Sequence, residues 1–341
     1  MRVLRGDPER ARTRRVAGAA PTTRSEAAGS SSGVVTPFPT GQQYRITYGS
    51  QHAVVVERGA GLREYGNNDA PVVDGYAEDE PANGSRGQLL LPWPNRIANA
   101  SYRFENREFR LPVTEPRTGC AIHGLTHDML WQRVDASPSS MTLSLDLLPE
   151  DGYPFRLELH ATYVLDDNGL TVTTSATNRS DAACPYGAGA HPYVRLASGG
   201  AIDDALLQIP ASATLEADDR GIPTGIELPV AGTGFDFRSP RPIGSQVLDT
   251  AFTGLTPDDD AVTRISLTTA DAQHGVVVWM DASQPYAMIY SGDTLGEVAR
   301  RRHGLAVEPM TCAPDAFNSG AGLIVLQPGE SHSSAWGIAP F

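Results

Sequence analysis

The chain has 341 residues, 40% of them hydrophobic and 20% charged, which is enough for one large domain or two small ones with proper cores. All 27 basic residues are arginine, which excludes a Schiff-base lysine, pyridoxal-phosphate chemistry and a Walker lysine. The net charge is −13, and beyond residue 24 the balance of 20 arginines against 38 acids is −18, a body that repels a phosphate backbone and so argues against nucleic-acid binding.

Residues 1–38, rich in Arg, Ala, Ser and Gly, are predicted to be a disordered tail, leaving 39–341 as one domain. Tyr44–Tyr48 and Ala53–Glu57 read as a first pair of strands. Met141–Leu147 alternates strictly between apolar and polar residues, the pattern of a half-buried strand. Leu157–Leu165 and Leu170–Asn178 flank Asp166-Asp167-Asn168-Gly169, whose Asn-Gly predicts a hairpin. Arg264–Thr269, Val276–Met280, Ala287–Ser291, Leu323–Leu326 and Ser333–Ile338 follow as strands. No segment keeps a helical period over three turns, and 34 glycines and 26 prolines punctuate the rest. The fold class predicted is all-β, a large single-domain sandwich.

No apolar run is long enough to span a membrane. Cys120, Cys184 and Cys312 are far apart and odd in number, which argues against a disulfide framework and fits a cytoplasmic protein. His123 and His127 have the four-residue separation of a zinc protease motif but no Glu between them, and Gly124 disfavours a helix; no metal site is expected. Asp258-Asp259-Asp260 lacks the Gly and distal Glu of a calcium loop and reads as a solvated turn. Arg300-Arg301-Arg302 reads as an exposed loop, and Trp93 and Trp279 as core residues.

Three polar stretches interrupt the strands: Leu91-Pro-Trp-Pro-Asn-Arg-Ile with Ala121-Ile-His-Gly-Leu, then Gly187-Ala-Gly-Ala-His-Pro-Tyr, then Leu305-Ala-Val-Glu-Pro-Met. Each sets a titratable group beside a strand edge. Taken in order, Asn95-Arg96-Ile97, Ile122-His123-Gly124, His191-Pro192-Tyr193, Leu248-Asp249-Thr250-Ala251-Phe252 and Glu308 resemble the motifs of the aldose 1-epimerase (mutarotase) family. The likeness runs from about residue 45 to 340 and implies that family's galactose mutarotase-like supersandwich. Two departures stand out: Val194-Arg195-Leu196 follows the second histidine where Phe-Asn-Leu is common, and Met310 stands where a glutamine is common.

The resemblance implies an isomerase that opens a sugar hemiacetal and closes it on the other face. One group must remove the proton of the C1 hydroxyl while another protonates the ring oxygen. By resemblance Glu308 is the base at O1 and His191 the acid at O5, with His123 completing the catalytic set. Arg96, Asp249, Asn95 and Tyr193 form the expected binding set. No cofactor is called for, because no electrons move. The expected partner is a small neutral sugar, with no nucleic acid or membrane, and the chain acting as monomer or homodimer. An epimerase for a hexose phosphorylated or sulfonated at C6, its anion held by Arg195 or Arg300–Arg302, is the alternative, and a non-catalytic carbohydrate-binding module is a third. The rate is expected to follow a bell in pH, its lower limb from Glu308 and its upper limb from His191.

Overall fold

Strict alternation in sequence becomes two long antiparallel sheets. The computed structural model describes residues 38–341, so the tail expected before them lies almost wholly outside the described residues. A nine-stranded sheet is built around Leu157–Asp166, Gly169–Asn178 and Ser331–Pro340, with Ser140–Leu147 and Gln132–Ala136 on one side. Gly275–Met280, Thr263–Thr268, Leu206–Gln208 and Arg241–Pro242 extend it on the other. The second sheet has eight strands, running Pro223–Pro229, Ala211–Ala217, Asp249–Leu255, Tyr286–Tyr290, Leu305–Met310, Gly189–Ala190 and Leu89–Leu90, with Tyr193–Val194 paired to Leu305–Met310. A four-stranded sheet over Gln43–Pro71 carries the first predicted pair.

One apolar core lies between the two large sheets. Leu159, Val172, Val278 and Ile338 contribute to it from the first, and Phe252, Ile289 and Val307 from the second. In Leu157–Asp166 buried and half-buried residues alternate without a break, which is the period-two pattern of a strand with one face on the core. Leu305–Met310 is different, because all six residues are buried. Leu305 and Val307 point into the main core, while Ala306 and Met310 join small apolar clusters on the opposite face. Glu308 shares that opposite face. It lies inside a strand rather than beside its edge, which corrects the sequence reading.

The hairpin at Asp166–Gly169 forms, though not on Asn-Gly. Asp167 and Asn168 are the two turn residues, and Gly169 pairs with Asp166 at φ +105. Asp166 Oδ1 accepts from the Asn168 amide at 2.7 Å, so an Asx turn sets the reversal. Trp93 is core at 2% exposure, whereas Trp279 is half-buried on the outer face of the nine-stranded sheet, where it covers Gly337 of the neighbouring strand. Arg300 and Arg302 are not loose loop residues: Arg300 pairs with Glu297 at 3.0 Å and Arg302 with Asp203 and Asp293 at 3.0 Å each. Asp258-Asp259-Asp260 is an exposed turn, closed by the Asp260 amide donating to Asp258 Oδ1 at 3.0 Å. Among the described residues no helix is long and apolar enough to cross a membrane.

Candidate active site

Strand register builds one wall of a cleft on the far face of the eight-stranded sheet. Asp249 stands opposite Tyr290, and Met288 stands opposite both Ala251 and Glu308. Because side chains alternate, Asp249, Met288, Tyr290 and Glu308 all leave the sheet on the side away from the main core. Gly189–Ala190 forms the next strand over and delivers His191, whose amide donates to the Gln88 carbonyl at 3.0 Å and whose carbonyl accepts from Gly87 at 2.9 Å.

The opposite wall is a two-residue ladder in which Arg96 pairs with Ile122. Asn95 and His123 both take left-handed backbone, φ +54 and +63, and the His123 amide donates to the Asn95 carbonyl at 2.9 Å. Gly124 follows at φ +75, with its Cα against the Leu91 carbonyl, so any side chain there would displace the His123 loop. The cleft encloses about 310 Å³, and all seven residues singled out in sequence line it: Glu308, His191, His123, Arg96, Asp249, Asn95 and Tyr193. A wider cleft of about 730 Å³ lies beside Arg45 and Arg300, but it holds none of these seven.

Glu308 and His191 are the centre of the constellation. Both are buried, at 2% and 5% exposure, and Glu308 Oε1 lies 3.3 Å from His191 Nε2. Glu308 Oε2 has no partner among the described residues. Burial pushes the Glu308 carboxyl well above its ordinary value, helped by Asp249 and opposed by Arg96. Burial also drives the His191 imidazole down to about 3, with the Arg86 charge adding to it. Both shifts favour the uncharged forms, carboxylic acid and neutral imidazole. His123 meets His191 edge to face at 5.4 Å and is likewise held well below the ordinary histidine range, first by burial and then by the charges of His191 and Arg96.

Several neighbours that sequence reasoning missed set these groups. Glu115 grips Arg96 bidentately, 2.6 Å to Nε and 2.9 Å to Nη2. Burial alone would raise the Glu115 carboxyl, but Arg96 and Thr118 hold it below its ordinary value. Behind His191, Tyr193 stacks at 4.9 Å and 16°, and the Arg86 guanidinium lies 5.0 Å over the Tyr193 ring. Arg86 is itself paired with buried Asp74 at 3.2 Å, and the Tyr193 hydroxyl is committed to the Gly84 carbonyl at 3.0 Å. Glu115, Asp74 and Arg86 sit in stretches with no motif, and nothing in the sequence ties them to residues they meet in space. Asp249 is exposed on the wall, yet the protein mass around it raises its carboxyl, with the Arg96 charge opposing. Arg195 and Arg300–Arg302 do not line this cleft; Arg117, with 74% of its side chain exposed, does. His127 is also outside it, paired with Asp128 at 3.3 Å.

The aldose 1-epimerase family model matches residues 42–338. The chain belongs to the aldose 1-epimerase family. It is 35% identical over 296 residues, 86% of this chain and 91% of the relative, to an uncharacterized protein of Escherichia coli strain K12 designated YihR. Galactose mutarotase of Rattus norvegicus is 28% identical over 280 residues, 76% of this chain and 79% of the relative. The solved structure of a GalM/aldose epimerase homologue from C. elegans superposes with a TM-score of 0.78 at 22% identity, covering 88% of this chain and 98% of that one. That last likeness carries the galactose mutarotase-like fold. As a member of the aldose 1-epimerase family, the protein is an isomerase.

Proposed function

We propose that this aldose 1-epimerase family member interconverts the α and β anomers of an aldohexose, with Glu308 and His191 exchanging the two protons that ring opening requires. The observation that carries the reading is the 3.3 Å contact between a buried carboxyl and a buried imidazole at the base of a sugar-sized cleft, with the second carboxyl oxygen unpartnered.

The proton inventory fits the chemistry. Opening the hemiacetal moves a proton off O1 and places one on O5, so a catalyst holding one proton over two sites can do both. The resting form is carboxylic acid beside imidazole. The working form, carboxylate beside imidazolium, has the same proton count and differs only by transfer across the contact. A sugar hydroxyl donating to Glu308 Oε2, with the Arg96 charge nearby, favours the carboxylate. Glu308 then takes the O1 proton while His191 protonates O5; the C1–C2 bond rotates, and the exchange reverses on closure. The Arg96 guanidinium, fixed by Glu115 through two of its nitrogens, keeps Nη1 without a partner among the described residues for a sugar oxygen. Asp249 accepts from ring hydroxyls at the open wall. Tyr193, its hydroxyl already bonded, acts through His191 as a stacking support.

A neutral sugar is the first reading, since Glu115 and Asp249 line the cleft along with Arg96 and Arg117 and leave no net positive field. The second reading, a hexose phosphorylated or sulfonated at C6, draws on Arg117, held only by a 3.7 Å contact to Glu115. Exchange NMR on glucose, galactose, a hexose 6-phosphate and a 6-sulfonated hexose tests both. Anomer exchange above the buffer rate for at least one neutral hexose is expected. Exchange at the buffer rate for the whole panel would end the enzyme reading, and a kcat/KM far higher on an anionic member would replace the first reading with the second.

A further inference from the structure

The sequence singles out Arg195 and the 300–302 arginines, and the proposed reaction uses none of them. The fold brings Arg195 and Arg300 to the same place, a cleft of about 730 Å³ bordered by the N-terminal four-stranded sheet and the 299–303 segment. We infer that this cleft is an oxyanion-binding site, anchored by Arg195, for phosphate or a small phosphate monoester.

Positive charge in this cleft is left unmatched. Three carboxylates line the cleft, and two are already engaged. Glu64 takes His52 at 2.7 Å, Arg63 at 3.0 Å and Arg45 at 3.9 Å. Asp74 takes Arg86 at 3.2 Å and Arg300 at 3.6 Å. The third, Asp69, is exposed on the rim without an ion pair among the described residues. On the cationic side Arg195 has no side-chain hydrogen bond or ion pair among the described residues, and its Nε is fully buried without an acceptor. Six other arginines also lack a carboxylate among the described residues, but Arg195 alone of these seven keeps a buried guanidinium nitrogen with no acceptor, a cost that an anionic ligand would offset. His303, exposed on the same cleft, also lacks an acidic partner.

The neighbourhood has a surplus of donors as well. Arg63 Nε, Tyr76 Oη and Arg86 Nη2 are buried with no acceptor among the described residues. A ligand made of acceptor oxygens suits such a place, and the planar fork of a guanidinium matches two oxygens of a tetrahedral anion. The surrounding −18 body selects a small, compact anion over a long polyanion. Inorganic phosphate and the headgroup of a phosphate monoester share this chemistry.

Calorimetry and ³¹P NMR at low salt, with inorganic phosphate and with glycerol 1-phosphate, test the site on the full chain. Saturable one-to-one binding that sulfate displaces and chloride does not is expected. Arg195→Gln should weaken it by about 10-fold or more, the loss of one charged hydrogen-bonding partner. Arg117→Gln, in the sugar cleft, should leave it unchanged. Should Arg195→Gln fail to fold, the exposed His303→Gln, expected to weaken binding about 3-fold, takes its place. Equal affinity for the two probes assigns the site to inorganic phosphate, and tighter glycerol phosphate assigns it to a monoester. Absence of saturable binding up to about 50 mM, unchanged binding in Arg195→Gln, or loss in Arg117→Gln instead would overturn the inference.

Discussion

Replacing Glu308 with Gln should make the protein more stable while making it nearly inactive. Gln keeps the shape and hydrogen-bonding reach of the side chain but cannot ionise. Glu308 is buried and its carboxyl is raised well above the ordinary 4.5, so the native state holds a proton that the unfolded chain releases. A group raised in this way contributes stability that is fully present below pH 4.5 and is lost as pH rises through the folded value. At pH 7 the unfolded chain has gained about 2.5 units of ionisation free energy that native Glu308 forgoes. At about 1.4 kcal/mol per unit this sets a ceiling of about 3.5 kcal/mol, and the opposing Arg96 charge keeps the expected gain below it. Turnover should fall by at least ~10²-fold, about 2.7 kcal/mol of transition-state stabilisation, because the O1 base is gone. Denaturant unfolding of both proteins at pH 4.5 and 7.5, with anomer exchange followed by NMR and sugar binding by calorimetry, reads all three quantities. The stability gap should open as pH rises, and affinity should change far less than rate. A variant no more stable than wild type at pH 7.5, or a gap independent of pH, would refute the buried-acid argument; a fully active variant would refute Glu308 as the base.

The pH profile should be broad, because burial lowers His191 to about 3 and raises Glu308. The acid limb then reports a second proton arriving on His191 and the alkaline limb loss of the proton shared with Glu308, the reverse of the assignment expected from sequence; an acid limb near the ordinary histidine value in kcat/KM would contradict it. Glu115→Gln should raise KM about 10-fold with a smaller change in kcat, since it frees the Arg96 guanidinium without touching the Glu308–His191 pair; steady-state kinetics separates the two. Arg86→Met should cost up to about 3 kcal/mol by leaving buried Asp74 with only its 3.6 Å contact to Arg300, and adding Asp74→Asn should recover part of it, measured as unfolding free energies around a double-mutant cycle. An Arg86→Met that unfolds like wild type would remove the buried pair from the support of His191.

The sequence determined the strands whose two faces meet different environments. Met141–Leu147, Leu157–Leu165 and Leu170–Asn178 alternate because one side meets the core and the other solvent, and the structure places each of them within one residue of the expected bounds. Leu305–Met310 escaped that reading because it is covered on both faces, so its residues carry no alternation. The motifs of Asn95-Arg96-Ile97, His123, His191, Asp249 and Glu308 were legible too, since each is contiguous in the chain, and the fold collects them in one cleft. Contacts between distant segments were not legible. Glu115 meets Arg96 from 19 residues away, and the Asp74–Arg86 pair lies behind His191 across the Tyr193 ring. The same holds for charge. Composition gives the −13 net balance, but whether a carboxyl or imidazole keeps its charge depends on how much water the fold leaves around it. Sequence named Glu308 and His191 as base and acid without fixing which way their titrations shift; their burial, 3.3 Å apart, pushes the carboxyl up and the imidazole down.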